Sequence, residues 1–158
     1  MILRTAVIDD YKGLLELYTE LDEFHRVNHP ELFIRPEKDN RAMEYMSDLI
    51  KSNDKKLFVA EEGSNIIGLA ECFIGKSTAF PIMKERQWVQ LDSITVKRGF
   101  QHQNVGSLLL NEVIQWAKSK DIDRIELKAY SFNRNAIEFY TKNGFSDLAK
   151  IMFLNLDN

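Results

Sequence analysis

The stretch with the clearest chemical potential is residues 94–109, ITVKRGFQHQNVGSLL. An extended apolar segment ends at Val96, a loop with Gly99 and Gly106 follows, and the stripe Val105, Leu108, Leu109, Val113, Trp116 and Ala117 begins at once. A strand–loop–helix junction of this kind aims unpaired backbone N–H groups and the positive end of a helix at one spot, and phosphate is the natural occupant. Many helices begin after a glycine-containing loop and hold nothing, so the junction alone leaves the ligand open. The absence of GxxxxGK[ST] excludes a P-loop, and the absence of GxGxxG excludes a dinucleotide fingerprint. The single cysteine, Cys72, sits in a hydrophobic run and reads as core rather than nucleophile. His25 and His29 share the spacing of two helical metal ligands, but Pro30 ends the helix and no third ligand is evident, so no metal is expected.

The elements that must position these groups follow from periodicity and turn chemistry. ILRTAV (2–7) reads as a strand, after which Asp9 or Asp10 can cap a helix carrying Leu14, Leu17, Tyr18, Leu21 and Phe24, ending near His25. Pro30 and Pro36 bias the residues before them away from helix, so an irregular link is expected there, followed by a second helix at 37–52. LFVAEE (57–62), the turn 62–65 and IIGLAECFIG (66–75) form a hairpin; QWVQLDSITV (87–96) is another strand. After the helix at 105–117 come a strand at 125–130, a helix that Asn133 can cap and Asn143-Gly144 stops, and a last strand, AKIMFLNL, at 149–156.

Two blocks carry a resemblance to a known family. Val96, then Gln101-His102-Gln103-Asn104-Val105-Gly106 with Ser107, Leu108 and Leu109 continuing, is similar to the pyrophosphate loop of the GNAT superfamily of N-acetyltransferases. Downstream, residues 133–145, NRNAIEFYTKNGF, resemble the family's N-x-x-A-x-x-[LF]-Y-x-x-x-G-F block at every position. The blocks occur in the family's order with a strand between them, and the element order is similar along nearly the whole chain. Asn104 stands where the family usually has the first glycine of the loop; if that position needs positive φ, Asn is the non-glycine residue that tolerates it best. Lys97 and Arg98 also replace a frequent proline.

The resemblance implies a mixed α/β fold, in which a mostly antiparallel sheet, splayed in the middle, carries helices on both faces. Residues 1–158 then form a single domain that binds acetyl-CoA as co-substrate between strands 87–96 and 123–130. It implies backbone pairing of Ile94 and Val96 with the pantetheine arm, phosphate binding by Gln101, His102, Gln103, Asn104, Val105, Gly106 and Ser107, and a coenzyme contact from Asn133. Tyr140 takes the position of the acid for the coenzyme sulfur; its alternative is an aromatic packed on the helix stripe. Asp92, on the same strand face as Ile94 and Val96 by period two, takes the position of the base, with a strand-end salt bridge as the alternative. Asp22, Glu23, His25 and His29 fall where the first helices wall the acceptor site, or else they are a solvated helix end. The implied reaction is direct acetyl transfer to a primary amine of a small molecule or peptide in a ternary complex. The alternatives are a non-catalytic acyl-CoA-binding regulatory module and a transferase for a larger acyl group.

Composition narrows the partners. The 158 residues carry 21 basic and 24 acidic side chains, net −3, with a pI near 5.7, so phosphate-backbone binding is disfavoured and no nucleic acid is expected. Residues 1–50 hold 6 basic and 11 acidic side chains, an acidic front suited to a cationic acceptor or simply a set of solvated helix faces. No apolar run is long enough for a signal peptide or a membrane span, and one cysteine fits a reducing compartment, so the expected location is cytoplasmic with no membrane partner. A homodimer is an admissible assembly.

Overall fold

The computed structural model describes residues 1–37, 39 and 41–156. Within the described residues the chain divides into two compact units, Met1–Lys128 and Ala129–Asn158. The first unit carries strands β1 (Ile2–Thr5), β2 (Lys55–Glu62), β3 (Asn65–Lys76), β4 (Gln87–Val96) and β5 (Ile125–Leu127), with helices α1 (Tyr11–Asn28), α2 (Met43–Lys51) and α3 (Val105–Ser119). The second carries α4 (Arg134–Lys142).

The five strands form one sheet in chain order. β1 through β4 are successively antiparallel, and β5 joins β4 in parallel through Val89↔Ile125, Gln90↔Glu126 and Leu91↔Leu127 only. Helices cover both faces. On one face Leu14, Leu17 and Tyr18 of α1 and Met46 and Leu49 of α2 share a core with Leu57, Val59 and Leu69. On the other, α3 lies so close to β3 that a Cβ at Gly68 would stand 3.0 Å from Leu109 Cδ1 and 3.2 Å from both Thr95 O and Val105 Cγ1. Glycine is what lets that helix approach, and α3 follows directly from the loop that ends β4. The mixed sheet with helices on both faces is the expected fold class.

Several boundaries differ from expectation. The helix expected at 37–52 begins at Met43, while Lys38 and Asn40 lie outside the described residues. The strand expected at 125–130 stops at Leu127. Residues 149–156 form no strand, and Ile151, Met152, Phe153 and Leu154 are exposed. A strand exists only where neighbouring backbone completes its ladder, and among the described residues this segment has no such partner, however suitable its residue types.

Asp10 does not cap α1 through its side chain. Instead it is buried, accepts Val7 N–H at 2.8 Å, and receives two hydrogen bonds of 2.7 Å from the Arg4 guanidinium, whose Nε reaches Glu61 at 2.8 Å. Burial pushes the Asp10 carboxyl up, but Arg4 and the Val7 amide together hold it below the ordinary carboxylate range. A depressed folded-state pKa contributes stability above the unfolded pKa, and that contribution is lost as pH falls through the folded value. Asp10→Asn is therefore expected to cost about 1–3 kcal/mol at neutral pH. The gap to wild type should narrow below a pH of about 4. Urea melts at both pH values check it; an equal loss in both would assign the effect to packing.

Candidate functional site

β4 is where the sheet opens. Leu91 pairs with Cys72 and Ser93 with Glu71, so Asp92 is an extra residue, a bulge, on β4. Pairing with β5 ends at Leu91, and among the described residues the rest of β4 keeps only its β3 neighbour. Lys97 N–H donates to Ile67 O at 2.8 Å, so by alternation the backbone groups of Ile94 and Val96 face away from β3, toward the open side. The Gln101 side chain donates to Val96 O at 3.3 Å, tying the following loop to that edge.

That loop is shaped by left-handed backbone. Asn104 has φ 65° and ψ 6°, and His102 has φ 63°. The departure from glycine thus falls at a position that does adopt positive φ, and Asn fills it. No side chain caps α3, so the first N–H groups of the helix, on Val105, Gly106 and Ser107, are left facing the loop. Gln103 Nε2 donates to Gly99 O at 3.2 Å, Lys97 pairs with Glu16 at 3.0 Å, and Arg98 N–H reaches Glu20 at 3.3 Å, which fastens the loop to α1. The expected coenzyme-binding residues of the first unit, Ile94, Val96 and Gln101 to Ser107, are brought together at one edge.

Asp92 sits at the β4 bulge. Period two puts it on the face of Ile94 and Val96, but the bulge interrupts that count between them. Its carboxylate is exposed, accepts the Ser93 hydroxyl at 3.4 Å, and lies near enough to Tyr45 of α2 for its charge to help raise that phenol's pKa. A strand count cannot see an inserted residue.

The acceptor-side candidates are heavily engaged. Asp22 meets Arg41 at 3.1 Å. Glu23 meets Arg26 at 2.6 Å and Arg35 at 3.2 Å, and the Arg26 hydrogen bond leads the effects that hold its carboxyl down at about 2. His25 Nδ1 bonds Leu21 O at 2.9 Å and its ring meets Phe24 and Phe33; His29 pairs with Glu31. Cys72 is fully buried, its thiol pushed up to about 12 chiefly by that burial, which suits a core residue.

Sequence reasoning missed a buried carboxylate. Glu71 of β3, 5% exposed, accepts the Tyr18 hydroxyl at 2.5 Å and the Tyr45 hydroxyl at 2.7 Å, and Arg41 lies 4.6 Å from the Tyr18 ring centre. Burial first, and then Glu71, push both phenols well above their ordinary value, so both keep their protons. The available signal was a lone charge inside the apolar run 66–75.

In the second unit, Asn133 caps α4, its Oδ1 accepting Ala136 N–H at 3.2 Å, and Tyr140 packs edge-on against Phe139 and Phe145 at 5.3 and 5.4 Å. Burial pushes the Tyr140 hydroxyl above its ordinary value. Both readings of each residue survive: the Asn133 cap uses Oδ1 and not Nδ2, and the Tyr140 ring can pack while its hydroxyl holds a proton.

A mixed sheet whose β4 outruns its β5 partner just before an uncapped helix start leaves backbone groups open at one edge. Residues 14–145 match the acetyltransferase (GNAT) family, and the chain belongs to that family. Over 149 residues it is 26% identical to an uncharacterized N-acetyltransferase of Methanocaldococcus jannaschii, covering 92% of this chain but 60% of the length of that relative. Among solved structures, a tetramutant of the BH1408 protein from Bacillus halodurans is similar with a TM-score of 0.92, at 24% identity over 99% of this chain and all of that one. Aminoglycoside N-acetyltransferase AAC(6')-Iy in complex with CoA gives a TM-score of 0.73 at 15% identity over 99% of this chain and 100% of that chain. The apo 6'-N-acetyltransferase AAC(6')-IG from Acinetobacter haemolyticus gives 0.76 at 16% identity over 100% and 99%. At these identities the structural likenesses speak for the fold.

The Asn104 geometry yields a direct test. Asn104→Gly is expected to keep or improve affinity for coenzyme A, whereas Asn104→Val should weaken it, because left-handed backbone costs an ordinary side chain about 1–2 kcal/mol. Calorimetric titration of both variants checks this. Equal affinities would show that coenzyme binding does not draw on that conformation.

Proposed function

We propose that the protein is an acetyl-CoA-dependent N-acetyltransferase that moves the acetyl group directly to a primary amine of a small molecule or peptide, with both substrates bound together. The observation that carries the reading is the edge of β4 at Ile94 and Val96, which has no second strand neighbour among the described residues, running into an uncapped helix start through left-handed Asn104. An amide-bearing arm fits the edge as a missing strand would, and a diphosphate fits the N–H groups of Val105, Gly106 and Ser107.

Acetyl-CoA supplies an activated thioester. Asp92, or a water beside it, takes a proton from the acceptor, because an alkylammonium cannot attack. The acetyl C–N bond forms as the C–S bond breaks, Tyr140 gives its hydroxyl proton to the departing sulfur, and the surplus proton on the acylated nitrogen returns through water to the Tyr140 phenolate. Burial raises the pKa of that hydroxyl, which keeps it protonated but also makes it a weaker acid, so its proton leaves only as negative charge builds on the sulfur. The family's second block supports Tyr140 and Asn133 as coenzyme-side residues, and Asp22, Glu23, His25 and His29 are assigned to the acceptor side. Aminoglycoside acetyltransferases among the structural neighbours support a small polyamine acceptor. The proposed location is cytoplasmic, and the proposed unit is one domain spanning 1–158.

A thiol-release assay with acetyl-CoA against spermidine, sisomicin and an alanine-initiated peptide tests the reading. Turnover with at least one is expected, and release with none contradicts it. Tyr140→Phe keeps the ring and should lower kcat by roughly 10²–10⁴ with coenzyme affinity little changed. Asp92→Asn should remove the acidic limb of the pH–rate profile; a retained limb assigns the proton to another base.

A further inference from the structure

Glu71 lies on β3 directly opposite Ser93, beside the bulge at which β4 leaves β5. It is buried, and no ion pair to it is found among the described residues. A carboxylate in such a place is costly unless its oxygens are well supplied with donors. Here the donors are two phenols from two different helices, Tyr18 on Oε2 and Tyr45 on Oε1. The Tyr18 side chain is fully buried, whereas Tyr45 is 41% exposed. Tyr45 is therefore the one of the two phenols that can also touch a ligand, and Arg41 and then Asp92, of opposite charge, are close enough to act on it electrostatically.

A phenol has one O–H and two lone pairs. With the Tyr45 O–H committed inward to Glu71, its oxygen presents only lone pairs to whatever lies outside. Such a surface accepts hydrogen bonds and cannot donate them. We propose that Glu71 is a positioning residue that fixes the Tyr45 hydroxyl as a hydrogen-bond acceptor for the N–H groups of the acceptor amine, so that the site selects cations bearing N–H. The inference rests on the amine-acceptor reading and deepens it. Negative charge on Asp92 attracts any cation; only the fixed polarity of Tyr45 distinguishes an ammonium from an equally charged quaternary nitrogen.

The polarity can be reversed without emptying the site. In Glu71→Gln, Tyr18 keeps the amide oxygen because its hydroxyl is fully buried and cannot turn to water, whereas Tyr45 is 41% exposed and can. The amide nitrogen then faces Tyr45, whose O–H must turn outward. Tyr45→Phe instead removes the polar atom from a partly exposed side chain and keeps the ring. The probes are butylamine and butyltrimethylammonium, matched in charge, titrated by calorimetry into protein saturated with coenzyme A. Wild type is expected to bind butylamine about tenfold or more tightly than the quaternary cation, the scale of a hydrogen bond to a charged group. Both variants should bind the two cations within about twofold of each other, with coenzyme affinity unchanged. Wild type that binds neither cation or does not discriminate overturns the inference, as does discrimination retained in Tyr45→Phe. Discrimination retained in folded Glu71→Gln overturns it too; if that variant does not fold, Tyr45→Phe alone decides. Because binding is read without turnover, failure here is separate from failure of the acetyl-transfer assay.

Discussion

Everything at this site depends on the bulge at Asp92. A regular β4 would carry its pairing with β5 onward, and the backbone groups of Ile94 and Val96 would be consumed by a strand. The extra residue increases local twist and shifts which residues face β5, so the ladder stops after Leu91. Buried backbone groups require partners. The same feature that opens the sheet therefore creates a row of groups suited to an amide-containing ligand, and it delivers the chain into the Asn104 turn and the start of α3.

The two sides of the sheet then divide the work. On the α3 side, Gly68 lets the helix sit tightly against β3 and fixes the place of its N–H groups. On the α1 and α2 side, Glu71 gathers Tyr18 and Tyr45 beside the bulge, while Asp22 and Glu23 are drawn into pairs with Arg41, Arg26 and Arg35. The two carboxylates of the acidic front expected to meet the acceptor are thus already answered by guanidinium groups. For the proposed amine acceptor, local polarity at Tyr45 and Asp92 is a better basis for selection than the summed charge of the first fifty residues.

What could be read from the sequence follows from which forces are local. β4 has the expected limits, 87–96, because its residue types alternate and turns bound it; the Asn133 cap and the Asn104 conformation were legible because single side chains decide them. The bulge was not, since an inserted residue leaves no mark in a period-two pattern, and so a count along β4 does not fix the face of Asp92. The 149–156 segment failed for a related reason: strand propensity is spent only if distant backbone completes the ladder. Glu71 announced itself as a charge in an apolar strand, but its partners lie 53 and 26 residues away and no local rule finds them.

The central claim is that acetyl-CoA occupies the open edge of β4 and the start of α3. Amide hydrogen exchange resolved to single residues, with and without saturating acetyl-CoA, tests it most directly. The account predicts slowed exchange at Ile94, Val96, Val105, Gly106 and Ser107, with the amides of β1 and β2 unchanged. Binding that leaves those five amides exchanging as before would contradict it.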